Sequence, residues 1–153
     1  MPGPEERLAA LGLEIPDVAA PVAAYVPTAR TGDLVFTAGQ LPLRRGELIV
    51  TGTVGSGVNL DEAVLCAQQC ALNALAAVKA EVGGLDAVRR VVKVTVFVAS
   101  SPDFTGQAQV ANGASELLGE VFGDAGKHAR SAVGVAVLPL GAPVEIELVV
   151  EVG

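Results

Sequence analysis

Only one histidine and two cysteines occur among the 153 residues, and that shortage excludes a good deal of chemistry. Four protein ligands of the usual nitrogen and sulfur kind cannot be assembled within one chain, so a structural zinc site of that kind is not expected. A pair of histidines for acid-base cleavage of RNA is missing as well. Basic residues are scarce: ten Lys and Arg against seventeen Asp and Glu give a net charge of -7. Nucleic-acid binding draws most of its free energy from cations meeting phosphates, and Arg44-Arg45 is the sole obvious basic cluster, so no nucleic-acid partner is expected. No apolar run reads as long enough to span a bilayer, and the acidic start MPGPEERLAALG is unlike a signal peptide, which leads to an expectation of a cytoplasmic protein without a membrane partner. The glycine-rich stretch at 52–57 lacks the Lys-Ser/Thr that a phosphate loop requires.

Charge of either sign is also low, at 18% of residues, while 51% are hydrophobic. A chain of this size can bury a sizeable core as one domain, and its charge is thin for a monomer that must cover its own surface. Some apolar surface is therefore expected between subunits. Cys66 and Cys70, one helical turn apart in an apolar pattern, read as small core or interface residues, with an intersubunit disulfide or redox role as the alternative.

Along the chain, residues 1–20 read as an appended arm: a short helical pattern with Leu8, Leu11 and Leu13, broken by the stretch Pro16 to Val22. A single domain over 21–153 follows. Tyr25 to Ala29 and Leu34 to Ala38 form an expected hairpin around Thr31-Gly32-Asp33. Residues 44–58 read as a loop with one strand-like piece, Leu48-Ile49-Val50, that could border a site. Asn59 and Glu62 have capping-box spacing, Gly83-Gly84 is a stop, and the interval Leu60 to Val82 is a helix. Its apolar stripe runs through Leu60, Val64, Ala67, Ala71, Leu75, Val78 and Val82, with Gln68, Gln69, Lys79 and Glu81 expected to face away. Asp61 and Glu62 are assigned to the favourable helix start rather than to catalysis.

Val91 to Ala99 is β-branched and nearly continuous in hydrophobicity, as expected of a central strand. A second helix is expected to begin at Ser101-Pro102-Asp103, to bury Val110, Ala114, Leu117, Val121 and Phe122, and to end at Gly123. Strands over Ser131 to Leu138 and Val144 to Val152 complete an α+β sandwich: about five strands and two long helices on one face. The other face would stay partly apolar in a monomer, and oligomerisation is the physical remedy.

One segment stands out for chemistry. In Lys127 to Val135, Arg130 stands at the entrance of a strand otherwise made of small and apolar residues. A fixed guanidinium beside free backbone N-H groups suits capture of a carboxylate, and pairing with an acid of the last strand is the other reading.

The ordered set Tyr25, Thr37-Ala38-Gly39-Gln40-Leu41-Pro42, Val92 to Val98, Asp103-Phe104, Asn112, Ala129-Arg130-Ser131, Leu138-Pro139 and Val144-Glu145-Ile146-Glu147 resembles the RidA/YjgF family. It spans residues 22 to 152. The HARSAVG wording is similar to a divergent branch whose members are labelled endoribonuclease L-PSP or translation inhibitors. The resemblance implies a chorismate-mutase-like fold with a mixed sheet, a homotrimer with clefts between subunits, and hydrolysis of 2-aminoacrylate-type enamines and imines to keto acid and ammonia, with no metal or organic cofactor.

Carried over residue by residue, Arg130 grips the substrate carboxylate, Tyr25 is the pocket tyrosine, Glu145 helps hold the attacking water, and Asn112 lines the cleft. Departures from the family pattern are Ala38 for a common Ser, Ala132 for a common Cys, Ala23-Ala24 for Gly-Pro, and His128 for a common Pro. They leave a second function open, a non-catalytic module that binds small carboxylates. Read without the resemblance, Glu145 shares a solvent face with Glu147 and Glu151, Tyr25 is an interface residue, and Asn112 satisfies a neighbouring backbone group.

Overall fold

A computed structural model describes residues 1–20 and 23–153. Helix α1 (Pro4–Ala10) packs against the helical layer with Leu8 fully buried. Residues 21–22, the end of the Pro16 to Val22 stretch, lie outside the described part.

The main sheet has five strands: β1 (Thr28–Thr31), β2 (Leu34–Thr37), β7 (Val88–Ala99), β8 (Ala129–Val135) and β9 (Val144–Val152). Between β2 and β7 lie four two-residue strands, β3 (Leu43–Arg44), β4 (Glu47–Leu48), β5 (Thr53–Val54) and β6 (Gly57–Val58), which form two small ladders. In space the order is β1-β2-β9-β7-β8, antiparallel throughout except for the parallel pair β7 and β8. A parallel pair needs a crossover, supplied here by helix α3 (Gln107–Phe122). Helix α2 (Leu60–Val82) lies beside α3 on the same face of the sheet.

The elements follow from local chemistry where the signals are strong. Asn59 Oδ1 accepts from the Glu62 backbone N-H at 2.8 Å, and Glu62 Oε1 accepts from the Asn59 N-H at 3.1 Å. This reciprocal box starts α2 at Leu60, and Gly83, with φ of 91°, ends it in a conformation that costs glycine little. In β9 the odd and even residues separate cleanly: Val144, Ile146, Leu148, Val150 and Val152 point into the core, while Glu145, Glu147, Val149 and Glu151 are on the open face. Burying five such side chains contributes on the order of 10 kcal/mol of transfer free energy, before the entropy of ordering them.

Several expectations need correction. Helix α3 begins at Gln107, not at Ser101, because Ser101 Oγ donates to Asp103 and its backbone N-H donates to the Val54 carbonyl, which makes a turn anchored to β5. Its buried side and its end at Gly123 are as expected. Ile49 and Val50 are not strand. Instead β3 and β4 form a tight hairpin around Arg45 and Gly46, both at positive φ. The first strand starts at Thr28 rather than Tyr25, and β8 ends at Val135 rather than Leu138. Gln69 does not face away: it is 6% exposed, and Leu60 at the foot of the supposed buried stripe is 40% exposed. Gln69 accepts from Arg44 Nε at 3.3 Å and donates to Asn73 Oδ1 at 3.1 Å, while Asn73 Nδ2 donates to the Leu41 and Leu43 carbonyls at 2.9 Å. A polar relay thus ties the β3–β4 hairpin to α2.

By length and composition α2 is also apolar enough to cross a membrane, contrary to the expectation from the run lengths. Its most apolar window has a mean hydropathy of 1.3, yet 72% of that window is buried inside the fold, as for a core helix. Cys66 and Cys70 lie on it, both buried and unpaired.

Candidate functional site

Arg130 is the second residue of β8 and pairs in register with Val94 of β7. Val94 points into the core, so Arg130 projects on the helix side of the sheet, at its edge, where α3 runs past. Its Nη1 donates to Asn112 Oδ1 at 2.8 Å and to Ser115 Oγ at 3.1 Å. Asn112 and Ser115 are three residues apart on α3 and so share a face. No carboxylate pairs with Arg130 among the described residues, and its Nε and Nη2 have no protein partner there. The expected alternative, an ion pair with an acid of the last strand, is not formed. Ala132 follows two residues on, on the same side, opposite Val96 and packed against the core. Asn112 serves the arginine rather than a backbone group.

Next to Asn112 stands Gly113, and a Cβ there would collide with the Val64 carbonyl of α2. This glycine lets the two helices approach and so sets where Asn112 and Ser115 lie relative to β8.

Glu145 belongs to a different part of the fold. It pairs with Phe97 in β7, on the open face of the sheet. The segment Gly39-Gln40 runs alongside, with Gln40 N-H donating to the Ile146 carbonyl at 2.7 Å and the Ile146 N-H donating back at 3.0 Å. Gly39 is so near the Glu145 carboxylate that any side chain at 39 would displace it. Burial pushes the Glu145 carboxyl above the usual carboxylate range, and the like charge of Glu147 on the same face adds to the shift. Ala38, whose N-H donates to the Pro27 carbonyl at 2.8 Å, adjoins this group. Tyr25, 44% exposed, lines a hollow of about 30 Å³ with Ala19, Ala20, Pro27, Gly39 and Gln40.

The expected residues therefore form two clusters: Arg130, Asn112 and Ala132 at the β8 edge, and Glu145, Ala38 and Tyr25 toward the β1–β2 side. Arg130 and Glu145 project from opposite faces. Their register partners are three residues apart on β7, and β8 and β9 flank that strand, which places their backbones about 14 Å apart. One chain does not bring the two clusters to a common point.

Two residues were not expected in the Arg130 cluster. The signal for Ser115 is its helical spacing from Asn112, and His128, where relatives have Pro, reads from sequence as a turn residue, with contact to substrate as the lesser reading. His128 Nε2 lies 2.8 Å from Ser115 Oγ, and its Nδ1 lies 2.6 Å from the Gly126 carbonyl oxygen. A cavity of about 930 Å³ among the described residues lies elsewhere, between residues 12–20, the β3–β4 turn and α2; none of the six expected residues lines it. Among the described residues no group of three or more His, Cys, Asp or Glu is placed to hold a metal ion.

Comparison with known proteins agrees with this architecture. Residues 5–152 match the family described as "YjgF/chorismate_mutase-like, putative endoribonuclease". Protein TCP17 of Trypanosoma cruzi is 46% identical over 95% of this chain and 91% of its own length. A crystal structure of an endoribonuclease-labelled protein from Shewanella oneidensis superposes with a TM-score of 0.96 at 32% identity, covering 99% of this chain and 100% of that one. The structure of E. coli TdcF with bound serine is more distant, at 26% identity and a TM-score of 0.63 over 89% of this chain and 94% of that one. The family match covers nearly the whole length, and the chain belongs to the YjgF/RidA family.

Proposed function

We propose that this protein hydrolyses small carboxylate-bearing enamines and imines of the 2-aminoacrylate type to a keto acid and ammonia. The observation that carries the reading is Arg130: a guanidinium held by two neutral partners, with no carboxylate among the described residues to neutralise it and with Nε and Nη2 unspent there. Such a cation suits a planar carboxylate bound from outside. The serine bound to TdcF is a small carboxylate of comparable size.

The enamine tautomerises to the imine, water adds to the imine carbon, and the carbinolamine expels ammonia as the carbonyl forms. Glu145 is suited to the proton transfers, since a carboxyl held above its usual range can take a proton from water and return it to the leaving nitrogen. Tyr25, Ala38 and Ala132 would shape the pocket, and holding the reactants in place supplies much of the acceleration.

Because the two clusters are separated within one chain, a complete site calls for two copies, with Arg130 of one facing Glu145 of its neighbour. The open sheet face, where Phe36 and Val133 are 42% and 44% exposed, is the surface offered for that assembly. A homotrimer is the form expected from the family resemblance, and the cytoplasm is the compartment expected from the acidic N-terminal sequence. RNA cleavage is less well supported, since the net charge is -7 and His128 is the single imidazole.

The test is the decay of 2-iminopropionate, generated in situ by an amino-acid oxidase, with wild type, Arg130→Ala and Glu145→Gln. Wild type should accelerate decay, and both variants should lose most of the effect. A wild type no faster than buffer that still binds pyruvate would support the non-catalytic carboxylate-binding module instead, in keeping with the missing hydroxyl and thiol at Ala38 and Ala132.

A further inference from the structure

Ser115 links Arg130 to the chain's one histidine, and the hydrogens of this link can be assigned from chemistry. Arginine has only donors, so Nη1 donates to Ser115 Oγ. The Gly126 carbonyl only accepts, so His128 Nδ1 carries a hydrogen. A neutral ring then has its lone pair on Nε2, and the Ser115 hydroxyl donates to it. Donation runs one way, from Arg130 through Ser115 and His128 to the Gly126 carbonyl. The end of the relay is rigidly placed, because Gly126 is pressed so closely on the Leu118 carbonyl of α3 that a Cβ would not fit.

We propose that Ser115 and His128 are positioning residues for the Arg130 guanidinium, and that they make the site's hold on a small carboxylate depend on the charge of the imidazole. This rests on the carboxylate reading given above. Ser115 keeps Nη1 turned toward α3, which leaves Nε and Nη2 for the ligand. When the imidazole gains a proton, Nε2 becomes a donor. Ser115 Oγ then accepts from both Nη1 and Nε2, and its own hydrogen is free to turn to an anion lying against Arg130.

Among the described residues, the surrounding charges leave this second cation without an ion-pair partner. On α3, Glu116 and Glu120 are exposed and make no hydrogen bond to the ring. On the segment of His128 itself, Lys127 pairs with Asp124 at 3.1 Å. On β7, Lys93 donates to Ser131 on the other face of the sheet. A bound carboxylate would be the counter-ion for both Arg130 and a protonated His128. The extra donor and the extra charge act in the same direction, and by reciprocity a bound anion favours the protonated ring. Histidine changes charge between about pH 5 and 8, within the range of a binding assay. A unit charge one hydroxyl beyond Arg130, at an effective dielectric between about 20 and 80, strengthens anion binding about threefold to thirtyfold.

The test is calorimetric titration of the full chain with pyruvate, ionised throughout, from about pH 5.5 to 8. Wild-type affinity should rise severalfold as the pH falls. His128→Gln, which keeps amide donor and acceptor groups but cannot titrate, should show a flatter profile of affinity against pH than wild type. Glu145 titrates in both proteins, so their difference isolates His128. Ser115→Ala should weaken binding at pH 8 by about two- to tenfold, the worth of one hydrogen bond. Identical pH profiles for wild type and His128→Gln, with binding lost in Arg130→Ala, would overturn the role of His128 and leave the carboxylate reading intact. Unchanged affinity in Ser115→Ala would overturn its positioning role. Pyruvate binding unaffected by Arg130→Ala would overturn the carboxylate reading itself.

Discussion

Replacing glycine by alanine at positions 113 and 119 should have opposite effects on stability, although both lie in the interior of α3. Alanine favours a helix over glycine by about 0.5–1 kcal/mol, and that gain is common to both sites. At Gly119 a Cβ would meet nothing within 4 Å, so the gain stands alone and Gly119→Ala should stabilise by up to about 1 kcal/mol. At Gly113 the new methyl would overlap the Val64 backbone carbonyl and approach Ala67 Cβ to 3.2 Å. A backbone group of a packed helix cannot rotate away, so α3 must shift. Overpacking of this kind costs about 1–3 kcal/mol, which exceeds the propensity gain. Since 1 kcal/mol moves Tm by about 2–4 °C in a chain of this size, thermal unfolding followed by circular dichroism should separate the two variants by several degrees. The shift of α3 also carries Asn112 and Ser115 off Arg130, so Gly113→Ala should weaken pyruvate binding while Gly119→Ala should not. If both variants raise Tm, or Gly113→Ala binds normally, the close helix crossing does not set the site.

Asn59→Ala removes the Oδ1 acceptor of the capping box and should destabilise by about 1 kcal/mol, read as a lower urea midpoint at unchanged slope. Glu145 has a raised carboxyl in the fold, so its ionisation opposes folding: stability is full below the unfolded carboxyl's range and falls as the pH rises through the folded one. Glu145→Gln should therefore gain on wild type in urea unfolding at pH 7 compared with pH 4, and a constant difference would refute the shift. Burial pushes the Cys66 thiol up to about 11 and that of Cys70 well above the usual thiol range, so neither should react with a thiol reagent at pH 8 until the protein is unfolded.

Features set by short-range chemistry were legible in the sequence. The start and stop of α2 depend on Asn59, Glu62 and Gly83, and β9 depends on strict alternation, so their bounds could be read residue by residue. Ser101-Pro102-Asp103 has the composition of a helix start, but its backbone N-H groups answer to β5 and to its own turn, and the helix waits until Gln107. Gln69 faces inward because Arg44, far from it in sequence, and Asn73, one helical turn on, complete its hydrogen bonds. The same distance problem governs the site. Arg130 could be singled out as a cation at a strand entrance, whereas its partners depend on the crossing of α3 over β8. The separation of Arg130 from Glu145 depends on which face each strand residue occupies once register is fixed, and no local pattern encodes that.

The sheet order also bears on synthesis. β9 is the last strand in sequence but the middle one in space, bonded to β2 on one side and β7 on the other. As the chain leaves the ribosome, the β1–β2 hairpin and the β7–α3–β8 unit can each form, yet nothing joins them into one sheet until Val144–Val152 has emerged. Completion of the core therefore waits for this strand, and until then the core-facing side chains on both halves are available to chaperones or to unwanted association.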